Sequence, residues 1–143
     1  DLIRMASGKD IGVSQACEYL SHVGLCAREY IDREVNASLS GGELKRIEIA
    51  TVLARATKIS LFDEPEAGID LWSFARLTET FGQLHRQHDA TMIIISHQER
   101  IIQLADEIIV IADGHIRERG EAAKIFPLIM ADTRGGCPIA GGI

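Results

Sequence analysis

The chain reads as an α/β protein built on a parallel sheet, and three observations carry that reading. Two short apolar runs, KISLF at positions 58–62 and TMIIIS at 91–96, have the length and composition of strands buried on both faces, as parallel strands are. Between them lies a stretch with apolar residues at helical spacing. The order strand, helix, strand, helix, strand is the one that crossover connections impose on a parallel layer.

Taken in order, residues 1–35 read as helical. In VSQACEYLSHVGL, Ser14 is the expected N-cap, with Ala16, Leu20 and Val23 at helical spacing. The next helix is expected over Glu43–Arg55. There Leu44, Ile47, Ile49, Ala50, Val52 and Leu53 nearly encircle the axis, so the helix is packed on most sides. KISLF runs into DEPEAGID, a carboxylate-rich loop broken by Pro65 and Gly68. Leu71–His88 is amphipathic, with Leu71, Phe74, Leu77, Thr78 and Phe81 on one face. After TMIIIS, Glu99–Ala105 is a short helix. DEIIVIADGHIRERG is then two strands joined at Asp113-Gly114, a hairpin signal. Beyond Phe126 the chain ends in the glycine-rich GGCPIAGGI, and a poorly ordered tail is expected.

Composition narrows the function. With 143 residues, 46% hydrophobic and 25% charged, the chain has material for about one globular domain. Its net charge is −6 and no basic stripe carries interleaved aromatics, so neither nucleic acid nor an anionic membrane surface is the expected partner. The apolar runs fall far short of a membrane span, and no secretory signal is visible. Cys17, Cys26 and Cys137 form no C-x-x-C pair and read as reduced thiols of a cytosolic protein, with Cys137 in GGCP a weak candidate ligand. The first residue is Asp1 rather than Met, which suggests a piece of a longer protein.

Three features carry chemistry. NASLSGGELKRIEIA sets Gly41 and Gly42 at the start of a helix, where they cost stability but let backbone N–H groups and a helix N-terminus approach an anion closely. One apolar strand ends in Asp63-Glu64 and another in Ser96-His97. In open α/β sheets ligands bind off the carboxyl ends of the strands. Adjacent strand residues point to opposite sides, so Asp63 and Glu64 have different tasks. One carboxylate can hold hydrated Mg²⁺ while the next orients or deprotonates water, and His97 can bond a transferred phosphate. That division fits phosphoanhydride hydrolysis.

LSGGE, ISLFDEP, AGID and ISH, in this order over Leu39–Gly120, closely resemble the ATP-binding cassette (ABC) ATPases. The resemblance implies a P-loop NTPase fold with part of its helical subdomain, with ATP and Mg²⁺ as cofactors. It places Ser40, Gly41 and Gly42 in the signature that binds the γ-phosphate of ATP held by a second cassette subunit. It makes Asp63 the Walker B aspartate near Mg²⁺, through water, and Glu64 the general base. Asp70 becomes the D-loop aspartate at the dimer interface, and His97 the switch histidine.

The phosphate loop G-x-x-x-x-G-K-[ST] is not found. At the only Gly-Lys, Gly8-Lys9, Ile3 and Asp10 stand where that loop needs Gly and Ser/Thr, and no apolar strand precedes it. The adenine-stacking aromatic and Q-loop glutamine are not found either. The expectation is therefore the C-terminal part of a cassette, inactive alone. Residues 1–50 would belong to the helical subdomain, ending in the signature helix, 51–126 to the RecA-like ATPase core and 127–143 to a flexible tail.

Glu43 in place of the commoner glutamine, AGID and SHQERI resemble the SufC-type ATPase of iron–sulfur cluster assembly, which acts with SufB and SufD scaffold proteins. The alternatives are the ATP-binding subunit of an ABC transporter, working with membrane subunits, and a non-catalytic fragment. The expected location is the cytoplasm, or a membrane reached through partners. No heptad repeat flanks the signature, which argues against the coiled-coil ATPases of chromosomes and DNA repair. Glu43 and Glu66 lie inside motifs without needing to touch nucleotide. His22, His85, His88 and His115 carry no motif and read as solvated surface, and Trp72 and Phe74 as packing residues.

Overall fold

The structure, a computed structural model, describes residues 1–87 and 90–134. His88 and Cys137 lie outside the described residues. In chain order the elements are α1 (Leu2–Ser7), α2 (Val13–His22), α3 (Ala27–Tyr30), α4 (Gly41–Arg55), β1 (Ile59–Asp63), α5 (Leu71–Gln87), β2 (Thr91–Ile95), α6 (Glu99–Ile102), β3 (Glu107–Ala112), β4 (His115–Glu121) and α7 (Ala122–Arg134). They form two compact units, one over residues 1–97 and one from Gln98 onward.

In the first unit, α1 and α2 pack on α4, burying Ile3, Ala16, Leu20, Ile47 and Ala50. Gly8, in the Gly-Lys pair, is the left-handed C-cap of α1 at φ +62°. That is a structural use of glycine. The cap of α2 is Gly12 and not Ser14, which lies exposed in the first turn and makes no capping bond. Around α4 only Ile47, Ile49, Ala50 and Ala54 are buried, while Leu44, Val52 and Leu53 are half-buried.

β1 and β2 pair in parallel, with Ile59 opposite Thr91 and Asp63 opposite Ile95. One face is covered by α5, where Phe62 packs on Phe81 with ring centroids 5.1 Å apart. The expectation of strands buried on both faces is corrected. Ile59, Leu61, Ile93 and Ile95 on the other face are 51–66% exposed, because among the described residues no element covers that side. On α5 the buried stripe is Ser73, Leu77, Thr80 and Phe81. Leu71 and Trp72 stand in the first turn beside that stripe, and Trp72 is 84% exposed where packing is expected from the sequence.

In the second unit β3 and β4 form an antiparallel hairpin, with a bulge between Val110 and Ile111. The turn is Asp113-Gly114, both at positive φ (51° and 76°), as a two-residue hairpin with matching twist requires. β3 thus pairs with β4 and is not a third strand of the parallel layer. α7 extends helix through 127–134, where the composition suggests a tail. Pro127 lies inside it, and Ile125 is buried over Gly120 of β4.

Candidate functional site

The site residues gather in two places within the first unit. At the carboxyl ends of β1 and β2, Asp63 and Glu64 are exposed on one strand end and His97 on the other. The Glu64 N–H donates to the Ile95 carbonyl at 2.9 Å, which carries the pairing one residue past β1. His97 Nδ1 lies 3.6 Å from Glu64 Oε1, an ion pair when the imidazole is protonated. Glu64 adopts a left-handed backbone at φ +41°, which a residue with a Cβ visits only at a cost. Asp63 receives no such contact on its carboxylate from β2; its backbone carbonyl accepts from Lys45 Nζ of α4 at 3.1 Å. Lys45 therefore ties α4 to the end of β1.

The second place is the start of α4. Ser40 caps the helix in a reciprocal box: its Oγ accepts from the Glu43 N–H at 3.3 Å, and Glu43 Oε2 accepts from the Ser40 N–H at 2.7 Å. This is the S-x-x-E pattern of a helix start, and it caps a helix that begins on two glycines. The Tyr30 hydroxyl also donates to Glu43 Oε1, and Arg33 Nη1 does so at 3.3 Å while its guanidinium stands 5.2 Å over the Tyr30 ring. The Tyr30 bond, followed by the two from Ser40, lowers the Glu43 carboxyl to about 2. The same bond to Glu43 raises the Tyr30 phenol. Glu43 is thus held by its own chain.

Gly41 and Gly42 differ. Gly41 has open space where a side chain would project, while a Cβ on Gly42 would meet the Gly68 carbonyl at 2.5 Å. Gly68 precedes Asp70, and Asp70 Oδ1 accepts from the Ser73 N–H at 3.0 Å at the start of α5. That bond, with the Ser73 hydroxyl next, lowers the Asp70 carboxyl, and Arg46 adds to it from 3.7 Å. Arg46 itself donates to the carbonyls of Gly42 (3.2 Å) and Gly24 (3.3 Å) and to Ser73 Oγ. Gly42 and Asp70 are therefore organised around one side chain, Arg46, that the motifs do not single out.

A family model described as "ABC transporter" matches residues 8–67. An uncharacterized ABC transporter ATP-binding protein of Methanocaldococcus jannaschii is 32% identical over 117 residues, 82% of this chain and 46% of that protein. The energy-coupling factor transporter ATP-binding protein EcfA2 of Bacillus licheniformis is 34% identical over 125 residues, 87% of this chain and 43% of that protein. A solved dimeric ATP-binding cassette in a post-hydrolysis state, bound to ADP and Pi, superposes with a TM-score of 0.67 at 25% identity, over 76% of this chain and 46% of that one. The chain has the fold of part of an ATP-binding cassette domain. It spans less than half the length of these relatives. The family match takes in Ser40, Gly41, Gly42, Asp63 and Glu64 and stops before Asp70 and His97.

Two residues bear on the site without standing out in the sequence. Lys45 and Arg46 follow the signature closely, and a basic pair there was the available signal. Glu66 and Ser96, 30 positions apart, are joined by a hydrogen bond, and nothing local announces it. His22 and His85 are half-buried and His115 is exposed.

Proposed function

We propose that this chain contributes the signature and hydrolytic residues of the ATP-binding subunit of an ABC transporter. The observation that carries the reading is the Glu64–His97 contact of 3.6 Å at the carboxyl ends of a parallel strand pair, where such sheets bind ligands. The transporter reading is favoured over the SufC-type one because the relatives named above are transporter ATP-binding proteins. SufB- and SufD-type scaffolds consequently give way to membrane subunits as the expected partners, with a second ATP-binding subunit completing a dimer.

In this reading Glu64 accepts the proton of the attacking water, and His97 bonds the phosphate being transferred. Mg²⁺ is held by one or two carboxylates together with phosphates and waters more often than by an all-protein cage. Asp63, exposed at the strand end, suits that arrangement through a bridging water. Among the described residues no cluster of three His, Cys, Asp or Glu offers a cage. Ser40 and Gly41, at the exposed start of α4, face the γ-phosphate of ATP held by the second subunit, and Asp70 borders that interface. When bound, the nucleotide supplies the anhydride bond whose cleavage drives the partner.

The test is ATP hydrolysis by a cassette carrying this sequence with its complete phosphate loop. Glu64→Gln is expected to lower turnover by about 10²–10⁴-fold with ATP binding retained, the usual contribution of a general base. Turnover near the wild-type value would remove Glu64 from that role.

A further inference from the structure

Glu66 is a carboxylate in a position where burial makes one costly. It lies in the loop between β1 and α5 and is 8% exposed. Its Oε1 accepts a hydrogen bond from Ser96 Oγ. Its Oε2 is buried and has no hydrogen-bond partner among the described residues. Native structures leave few buried polar atoms unpaired, so an acid kept here at that cost calls for a reason.

Its surroundings supply one. Glu66 stands two residues after Glu64, and Ser96 stands immediately before His97. Two ties therefore bridge the ends of β1 and β2: the backbone bond from the Glu64 N–H to the Ile95 carbonyl, and the side-chain bond from Ser96 to Glu66. The Glu64–His97 contact is made by the residues adjoining those ties. The base of the acceptor is stiff as well. Pro65 is fully buried, the Ala67 N–H donates to the Glu64 carbonyl at 3.0 Å, and the Ile69 N–H donates to the Glu66 carbonyl at 3.1 Å. An acceptor on a closed turn fixes whatever donates to it.

We propose that Glu66 is a positioning residue: through the Ser96 hydroxyl it holds the end of β2 so that His97 stays against Glu64. The proposal rests on the reading above, in which Glu64 and His97 act together. Glutamate serves because its Oε1 reaches Ser96 from the loop. Oε2 has no bond to lose, so Glu66→Gln keeps the Oε1 acceptor and exchanges Oε2 for an amide NH2 group. Glu66→Ala removes the acceptor, and Ser96→Ala removes the donor.

The experiment reads His97 directly, by NMR of the histidine imidazoles in the 143-residue chain, with His97 assigned from His97→Gln. Glu66→Ala and Ser96→Ala are expected to move the His97 ring resonances in the same direction, and Glu66→Gln and Ser96→Thr to leave them at the wild-type position. If Glu66→Ala does not fold, Ser96→Ala reads the same bond. Unmoved His97 resonances in Ser96→Ala overturn the proposal. So does a Glu66→Gln shift as large as that of Ser96→Ala, because retaining the Oε1 acceptor would then not hold His97 in place. In the complete cassette, Glu66→Ala is expected to lower kcat by up to about 10²-fold at unchanged KM for ATP, the penalty of a misplaced catalytic group. A wild-type cassette without ATP hydrolysis would count against the proposed function, while the NMR result would still decide the role of Glu66.

Discussion

The backbone carbonyl of Gly68 occupies the place where a side chain on Gly42 would stand, 2.5 Å from the position of its Cβ. A helix start and the turn before α5 meet there with no room for a methyl group. Gly41, one residue earlier, faces open space. The fold therefore constrains Gly42 and makes no such steric demand on Gly41.

Gly42→Ala is accordingly expected to destabilise the chain by about 1–3 kcal/mol, the cost of forcing a backbone shift in a packed contact. Gly41→Ala has no such clash and is expected to change stability by no more than about 1 kcal/mol, in the direction of greater helix propensity. Chemical denaturation of the two variants checks the contrast. Equal losses would show that the glycines are kept for the same reason.

The capping box gives a pH-dependent prediction. The Glu43 carboxyl is lowered from 4.5 to about 2 by the bonds from Tyr30 and Ser40. A depressed folded-state value means a stabilising contribution fully present above the unfolded value near 4.5. It is lost as pH falls from there toward 2. Measured against Glu43→Gln, the wild-type advantage is expected to be constant at pH 5–7 and to shrink below pH 4.5. An advantage that grows on acidification contradicts the assignment. Ser40→Ala, which removes the cap acceptor, is expected to cost about 0.5–2 kcal/mol at neutral pH.

Arg46 donates to two carbonyls and a hydroxyl from a side chain only 12% exposed. Lysine has neither the fork nor the spread of donors to replace it. Arg46→Lys is expected to lose about 1.5–3 kcal/mol, the scale of hydrogen bonds to a charged group. Thermal unfolding of Arg46→Lys and Arg46→Met separates geometry from charge: the two variants should fall together. Lysine behaving as wild type would reduce Arg46 to a point charge near Asp70.

Glu64 carries backbone strain. Its φ of +41° costs glutamate roughly 1–2 kcal/mol that glycine does not incur. Glycine offsets part of this by about 0.5–1 kcal/mol of extra chain entropy in the unfolded state. Glu64→Gly is therefore expected to unfold at a temperature equal to or above that of the wild type while abolishing hydrolysis in the complete cassette. A clear loss of stability would mean that the Glu64 side chain contributes more to the fold than its contact with His97.

The exposed sheet face makes a prediction about solution behaviour. Ile59, Leu61, Ile93 and Ile95 form a contiguous apolar surface on β1 and β2. Surfaces of that kind drive association. Leu61→Lys with Ile93→Glu is expected to lower self-association of the 143-residue chain in light scattering. Unchanged scattering would place the sticky surface elsewhere.

Much of the molecule was legible one element at a time. The Asp113-Gly114 turn follows from local backbone preference, and the helix of Gly41–Arg55 and strands of Ile59–Asp63 and Thr91–Ile95 from periodicity and apolar runs. The Ser40–Glu43 cap was equally available, because its partners are three residues apart. Burial was less legible. An apolar run shows that a strand can be covered on both faces without showing what covers it, so the exposure of Leu61 and Ile93 could not be read from KISLF or TMIIIS.

By itself the sequence determined the residue types of the site, their order along the chain and the strand ends and helix start that bear them, because motif spacing and local periodicity act over a few residues. Only the tertiary structure decided which of them meet. Glu64 reaches His97 across 33 positions, Gly42 meets Gly68 across 26, and Ser96 reaches Glu66 across 30. Contacts at such separations depend on the register of two paired strands and on how closely two backbones approach. Those properties belong to packing and leave no pattern in any one segment.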